Sequence, residues 1–183
     1  MPSELIRRCT PADAQALAAI YDPIVAETHI SFEYIPPGPS EMRHRITTAD
    51  DFFPWLLLER DGGVVGYAYA SAHRSRFGYR WSVEVSAYVA PTARRQGAAR
   101  RLYTDLFQIL AAQGYHAAFA GVTLPNEPSC DLHRNVGFTV VGVFHAVGFK
   151  QGAWRDVMWF ERLLRPATEA PSEPLALSAV ERA

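Results

Sequence analysis

The chain has 183 residues, a formal net charge of −1 and 49% hydrophobic residues, enough for one domain with a sizeable core. A near-neutral chain lacks the broad basic face that a nucleic-acid backbone requires, and no run approaches the ~18 apolar residues that would cross a bilayer. Neither nucleic acid nor a membrane is expected as a partner. Met1 to Arg8 carries charge where a secretion signal would be apolar, and Cys9 and Cys130 are too few for a disulfide framework. The expected location is the cytoplasm, with both cysteines as thiols. The six histidines show no zinc-type spacing, so no metal is expected.

Leu5 to Arg8 reads as a first strand. Thr10, Pro11 and Asp13 then supply a cap, a first-turn proline and an acidic third position, where a helix should start. Leu17, Ile20, Tyr21, Ile24 and Val25 give that helix an apolar stripe. Ile35 to Pro39 is a proline-rich loop before a shorter helix around Glu41 to Thr47. Trp55 to Glu59 and Val64 to Ser71 flank Asp61, Gly62 and Gly63, a strong hairpin signal. Ser82 to Val89 continues the sheet. A long amphipathic helix follows, with Leu102, Tyr103, Leu106, Phe107, Ile109 and Leu110 at helical spacing and Gly114 ending it. Ala117 to Thr123 is the next strand, and a strand, crossover helix, strand unit favours local parallel pairing. Glu127 to Val136 is a short helix closed by Gly137, and Val140 to Phe149 and Trp154 to Arg162 are final strands around Gly152. The sum is mixed α/β with a central sheet, one domain over residues 1–165. Beyond it a tail rich in Pro, Ala, Ser and Glu, residues 166–183, is expected to be mobile or loosely docked.

The stretch from Val83 to Leu110 carries most of the chemistry. A helix start exposes unpaired N–H groups and a positive dipole end, where anionic oxygens bind. Here that start is preceded by Arg94, Arg95, Gln96, Gly97, Ala98 and Ala99. Gly97 allows close backbone approach, the alanines keep side chains clear, and the arginines add positive charge. Alone, this reads rather as a basic strand-to-helix connection without a ligand. It is not a Walker loop and lacks the spaced glycines of a dinucleotide fingerprint.

The same six residues fit the Q/R-x-x-G-x-G/A signature of the GNAT superfamily of N-acetyltransferases. The chain also resembles the phosphinothricin acetyltransferase branch at Glu27 to Phe32 (ETHISF), Phe53 to Leu56 (FPWL), Arg76 to Trp81 (RFGYRW), Leu124 to Ser129 (LPNEPS) and Gly148 to Asp156 (GFKQGAWRD). The resemblance implies the GNAT fold, a twisted, mostly antiparallel sheet flanked by helices, with acetyl-CoA as cosubstrate and its pyrophosphate held at Arg94 to Ala99. It also implies a homodimer and transfer of acetyl to the α-amino group of a small amino acid such as phosphinothricin, methionine sulfoximine or methionine sulfone.

Strand periodicity puts Glu84 on one face with Ser82, Ser86 and Tyr88. A solvated glutamate would sit there equally well; the resemblance makes it the general base that deprotonates the amine. It further implies carbonyl polarisation by strand amides near Tyr88 and Val89, CoA contacts at Asn126 and Ser129, and His133 as donor to the departing thiolate or as organiser of the site. Asn126 also reads as a helix cap, and His133 equally as a structural histidine. The loop of His73, Arg74, Ser75, Arg76 and Tyr79 pairs guanidiniums, which suit a carboxylate and a tetrahedral oxyanion group. Arg76 and Tyr79 match the family's acceptor positions. Arg74 stands where relatives have lysine, and Phe32 is either pocket lining or core. Lys150 is open between substrate and subunit contacts. Two other readings remain: another amine, such as a polyamine or a peptide N-terminus, or an acyl-CoA-binding regulatory module without turnover.

Overall fold

The computed structural model describes residues 3–49 and 51–180; the first two residues read as part of a charged N-terminus and the last three of the expected tail lie outside them. Seven strands, β1 (Glu4–Arg8), β2 (Trp55–Arg60), β3 (Gly63–Ala72), β4 (Ser82–Val89), β5 (Ala117–Thr123), β6 (Thr139–Lys150) and β7 (Ala153–Leu163), form one sheet. Its order is β1-β2-β3-β4-β5-β7-β6. The β4/β5 pair is parallel, its strands joined through one crossover helix, and the other five are antiparallel. The helices are α1 (Ala14–Glu27), α2 (Gly38–Thr48), α3 (Ala98–Gln113), α4 (Glu127–Asn135) and α5 (Leu177–Val180). This is the expected mixed α/β architecture with a mostly antiparallel sheet.

Strand alternation builds two cores. Val83 and Val85 of β4 and Ala68 and Ala70 of β3 face α3, where Leu102, Tyr103, Leu106 and Leu110 pack on them. Leu57, Tyr67, Tyr69 and Tyr88 face the other way, against α1 and α2. Each fully buried Leu or Tyr of these cores contributes roughly 1.5–3 kcal/mol from area removed from water. The turn of β2 to β3 has Asp61 and Gly62 both at positive φ, 51° and 80°, as a two-residue hairpin turn that follows the strand twist requires.

Two local details differ from the sequence reading. The first helix opens with a tight turn over Pro11–Asp13 before α1 begins at Ala14. The shorter helix starts at Gly38, inside the stretch read as loop, because Pro39 with its preset φ suits a first helical turn. The tail, expected to be mobile or loosely docked, runs back over the domain through residue 180. Leu177 is buried, Leu175 N–H bonds Gln113 O at 2.7 Å, and Trp81 Nε1 donates to Ser172 O at 2.8 Å. Its few apolar residues meet the end of α3.

Candidate active site

β4 and β5 pair over only three residues, from Ser82↔Ala117 to Glu84↔Phe119. Beyond Glu84 they part, while β4 stays paired with β3 as far as Val89 and β5 with β7 as far as Thr123. One edge of β4 therefore loses its partner strand. The opening between them is a small cavity of about 60 Å³, walled by Val85 to Tyr88 on one side and by Gly121 to Thr123 on the other. Asn126, Ser129 and His133 close its far end, and Ile30 covers it. Wider grooves lie elsewhere, among them one of about 520 Å³ between α3, the turn after α4 and the end of β7, and one of about 600 Å³ under the tail. Size does not favour the wedge; convergence of unpaired strand edge, helix start and ionisable groups does.

Glu84 stands where the strands part. His73 Nδ1 and Arg74 Nη1 both lie 3.1 Å from its Oε1. Burial, then Arg74, lower the His73 pKa, against the pull of Glu84. Arg74, read as a substrate ligand, is thus already engaged with Glu84 and lies over the Trp159 ring at 5.6 Å. Arg76 and Tyr79 are exposed on the neighbouring loop, and Tyr79 meets the His73 ring edge-on. Phe32 is half-buried with its ring against Gly148, where a β-carbon would come within 2.3 Å of it. Tyr88 reaches the wedge through its backbone, since its side chain packs on Tyr21 and Tyr67 in the α1 core.

His133 is 5% exposed and stacked on Phe160. Its Nδ1 lies 2.7 Å from Ser129 O, which can only accept, so that nitrogen carries the proton. Nε2 then accepts from Tyr103 Oη at 3.3 Å. Burial lowers the His133 pKa, and the neutral ring ties α4 to α3. Asn126 caps α4, its Oδ1 accepting from Ser129 N–H at 3.3 Å, while also lining the wedge.

At the other end of β4, Gly97 has φ +81° and leads into α3 with no side chain capping the helix. A β-carbon on Gly97 would meet nothing within 4 Å, so the approach is open. Arg95 shares the left-handed conformation at φ 59°, while Arg94 Nε reaches Val89 O at 3.4 Å. Gln96 is tied to Thr92 O and Arg60. Ala98 is buried and seats the helix on the sheet rather than facing outward; Ala99 is half-buried.

Lys150 is 4% exposed, and its Nζ donates to three carbonyls, Val25, Ser31 and Glu33, at 2.6–2.7 Å. With Tyr34 Oη on Phe149 O, and His29 Nε2 at 3.0 Å from Pro125 O, this pins the 28–34 segment over the wedge. Sequence reasoning missed this anchor and the His73–Glu84 contact. Strand register is the signal for the latter: Ser71 pairs with Glu84, and His73 follows two residues on.

Residues 6–159 match the family model of the GNAT acetyltransferase domain. The chain belongs to the GNAT acetyltransferase family. Among GNAT relatives, it is 36% identical over 171 residues to the phosphinothricin N-acetyltransferase of Streptomyces viridochromogenes, covering 93% of each chain. The L-methionine sulfoximine/L-methionine sulfone acetyltransferase of Pseudomonas aeruginosa is 32% identical over 171 residues, 92% of this chain and 99% of that one. The crystal structure of the GNAT phosphinothricin acetyltransferase of Sinorhizobium meliloti in complex with acetyl-CoA superposes with a TM-score of 0.88. It is 34% identical and covers 94% of this chain and 95% of that chain.

Proposed function

We propose that the chain is an acetyl-CoA-dependent enzyme that acetylates the α-amino group of a small amino acid of the phosphinothricin, methionine sulfoximine or methionine sulfone type. The observation that carries this reading is the position of Glu84 at the point where β4 leaves β5, with an uncapped helix start and an open glycine beyond the other end of that strand. Such a helix start fits a diphosphate: first-turn amides lack side-chain partners, and Arg94 and Arg95 bring charge. Gln96 to Ala99 shape that turn, and the freed edge of β4 near Tyr88 and Val89 offers amides to pantetheine and to the thioester carbonyl. Asn126 and Ser129 close the acyl end.

Glu84 takes a proton from the substrate ammonium, directly or through water, and the free amine attacks the thioester carbonyl in one direct transfer. Fixed backbone dipoles stabilise charge that develops on the carbonyl oxygen. A thiol pKa near ~8.5 lets CoA depart with little assistance. His133 acts as organiser, its Nδ1 proton committed to Ser129 O and its Nε2 to Tyr103. Arg76, Tyr79 and Phe32 ring the acceptor side, and Arg74 becomes available to a substrate carboxylate by exchanging its bond to Glu84.

Two copies associate through the exposed apolar residues of β6 and β7, and the protein works in the cytoplasm, where Cys9 and Cys130 stay as free thiols. Turnover decides the reading. With acetyl-CoA and each candidate amino acid, wild type should release CoA thiol and N-acetyl product, and Glu84→Gln should lower kcat by roughly 10²-fold or more. Unchanged turnover in that variant removes Glu84 as base. Acetylation of a polyamine or peptide N-terminus alone replaces the amino-acid reading, and cofactor binding without turnover on any amine replaces the enzyme with a regulatory module.

A further inference from the structure

We propose that His73 is a positioning residue for the base: it holds one carboxylate oxygen of Glu84, a contact it shares with Arg74 until substrate binds, so that the other oxygen is the one turned to the substrate ammonium. This rests on the reading of Glu84 as base. Both contacts, 3.1 Å each, fall on Oε1, and among the described residues none falls on Oε2. A carboxylate only accepts, so the imidazole meets it with Nδ1–H.

The ring is held independently of that bond. Phe119 of β5 stacks on it at 4.3 Å and 19°, while Tyr79 and Trp159 of β7 meet it edge-on at 5.9 and 6.3 Å. The His73 side chain is 12% exposed against 48% for Arg74. The histidine is therefore the rigid member of the pair, and the arginine the one water screens. Its charged or titratable neighbours are Glu84 from β4, Arg74 beside it and Tyr79 from the loop; Phe119 and Trp159 carry no charge. Burial keeps the ring neutral at neutral pH. In acid it becomes an imidazolium against Oε1, a positive charge beside the site of the substrate ammonium.

Two variants separate these roles. His73→Phe keeps a ring against Phe119 but has no donor; His73→Asn keeps an amide N–H near the Nδ1 position but does not titrate. For His73→Phe we expect kcat to fall about tenfold, with KM for acetyl-CoA within about twofold of wild type. His73→Asn should recover most of kcat and lose one ionisation from the acid limb of kcat/KM. Both are read on the folded fraction, beside Glu84→Gln. An inactive Glu84→Gln together with unchanged kcat and acid limb in both His73 variants overturns the His73 role and spares the base. Full turnover in Glu84→Gln overturns the base itself.

Discussion

Gly148 has no space for a β-carbon, because the tip of the Phe32 ring occupies the position where one would stand. The GF pair in the Gly148 to Asp156 turn is thus complementary to the 28–34 segment, over a sequence separation that no local pattern reveals. Gly148→Ala should push Phe32 out of place. If that ring lines the acceptor pocket, KM for the amino acid rises on the order of tenfold while KM for acetyl-CoA holds, as steady-state kinetics with each substrate varied will read. An equal change in both constants would assign Phe32 to packing alone. Glu84 and the Arg94 to Ala99 turn are legible one residue at a time, since a lone acid on a strand and a glycine before a helix are local signals. His73 was legible only as part of a basic loop. Its bond to Glu84 depends on the register of β3 on β4, a non-local quantity.

The opening of α1 is fixed by charge. Asp13 accepts from Thr10 N–H at 2.7 Å and from Thr10 Oγ1 at 2.8 Å, and Arg7 of β1 grips both its oxygens. Hydrogen bonding from Arg7 holds the Asp13 carboxyl well below the usual carboxylate range. An unfolded Asp ionises near pH ~3.9, so this contribution is complete above that pH and is lost as the pH falls toward the depressed folded value. Urea midpoints should show it: Asp13→Asn lies below wild type at pH 7, and the gap narrows steadily below pH ~4. A constant gap would mean that the ion pair adds nothing. The 28–34 segment depends likewise on Lys150. Lys150→Met keeps the length of the side chain but leaves three inward carbonyls without their donor, and should lower stability by about 2–3 kcal/mol in urea unfolding. An unfolding midpoint equal to wild type would show that water replaces the ammonium freely.

Along the outer edge of the sheet, β6 and β7 expose Val140, Val141, Phe144, Val147, Phe149 and Trp154. A 12-residue edge strand of this kind invites pairing or burial, which favours the homodimer proposed above. Sedimentation should give twice the monomer mass, and Val141→Lys with Trp154→Lys should give one; a wild-type monomer at micromolar concentration would remove the dimer. By itself the amino-acid order determined the seven strands and the four longer helices, because hydrophobic period, caps and turn glycines act over a few residues. It also determined the helix-start turn and the acid on β4, both properties of a single connection. Only the tertiary structure decided where β4 and β5 part, that His73 and Arg74 converge on Glu84, that Lys150 ties down a segment more than a hundred residues away, and that the tail returns to α3. Those depend on loop closure and strand register, where contacts between distant residues compete for the same surface and only the folded chain settles which of them form.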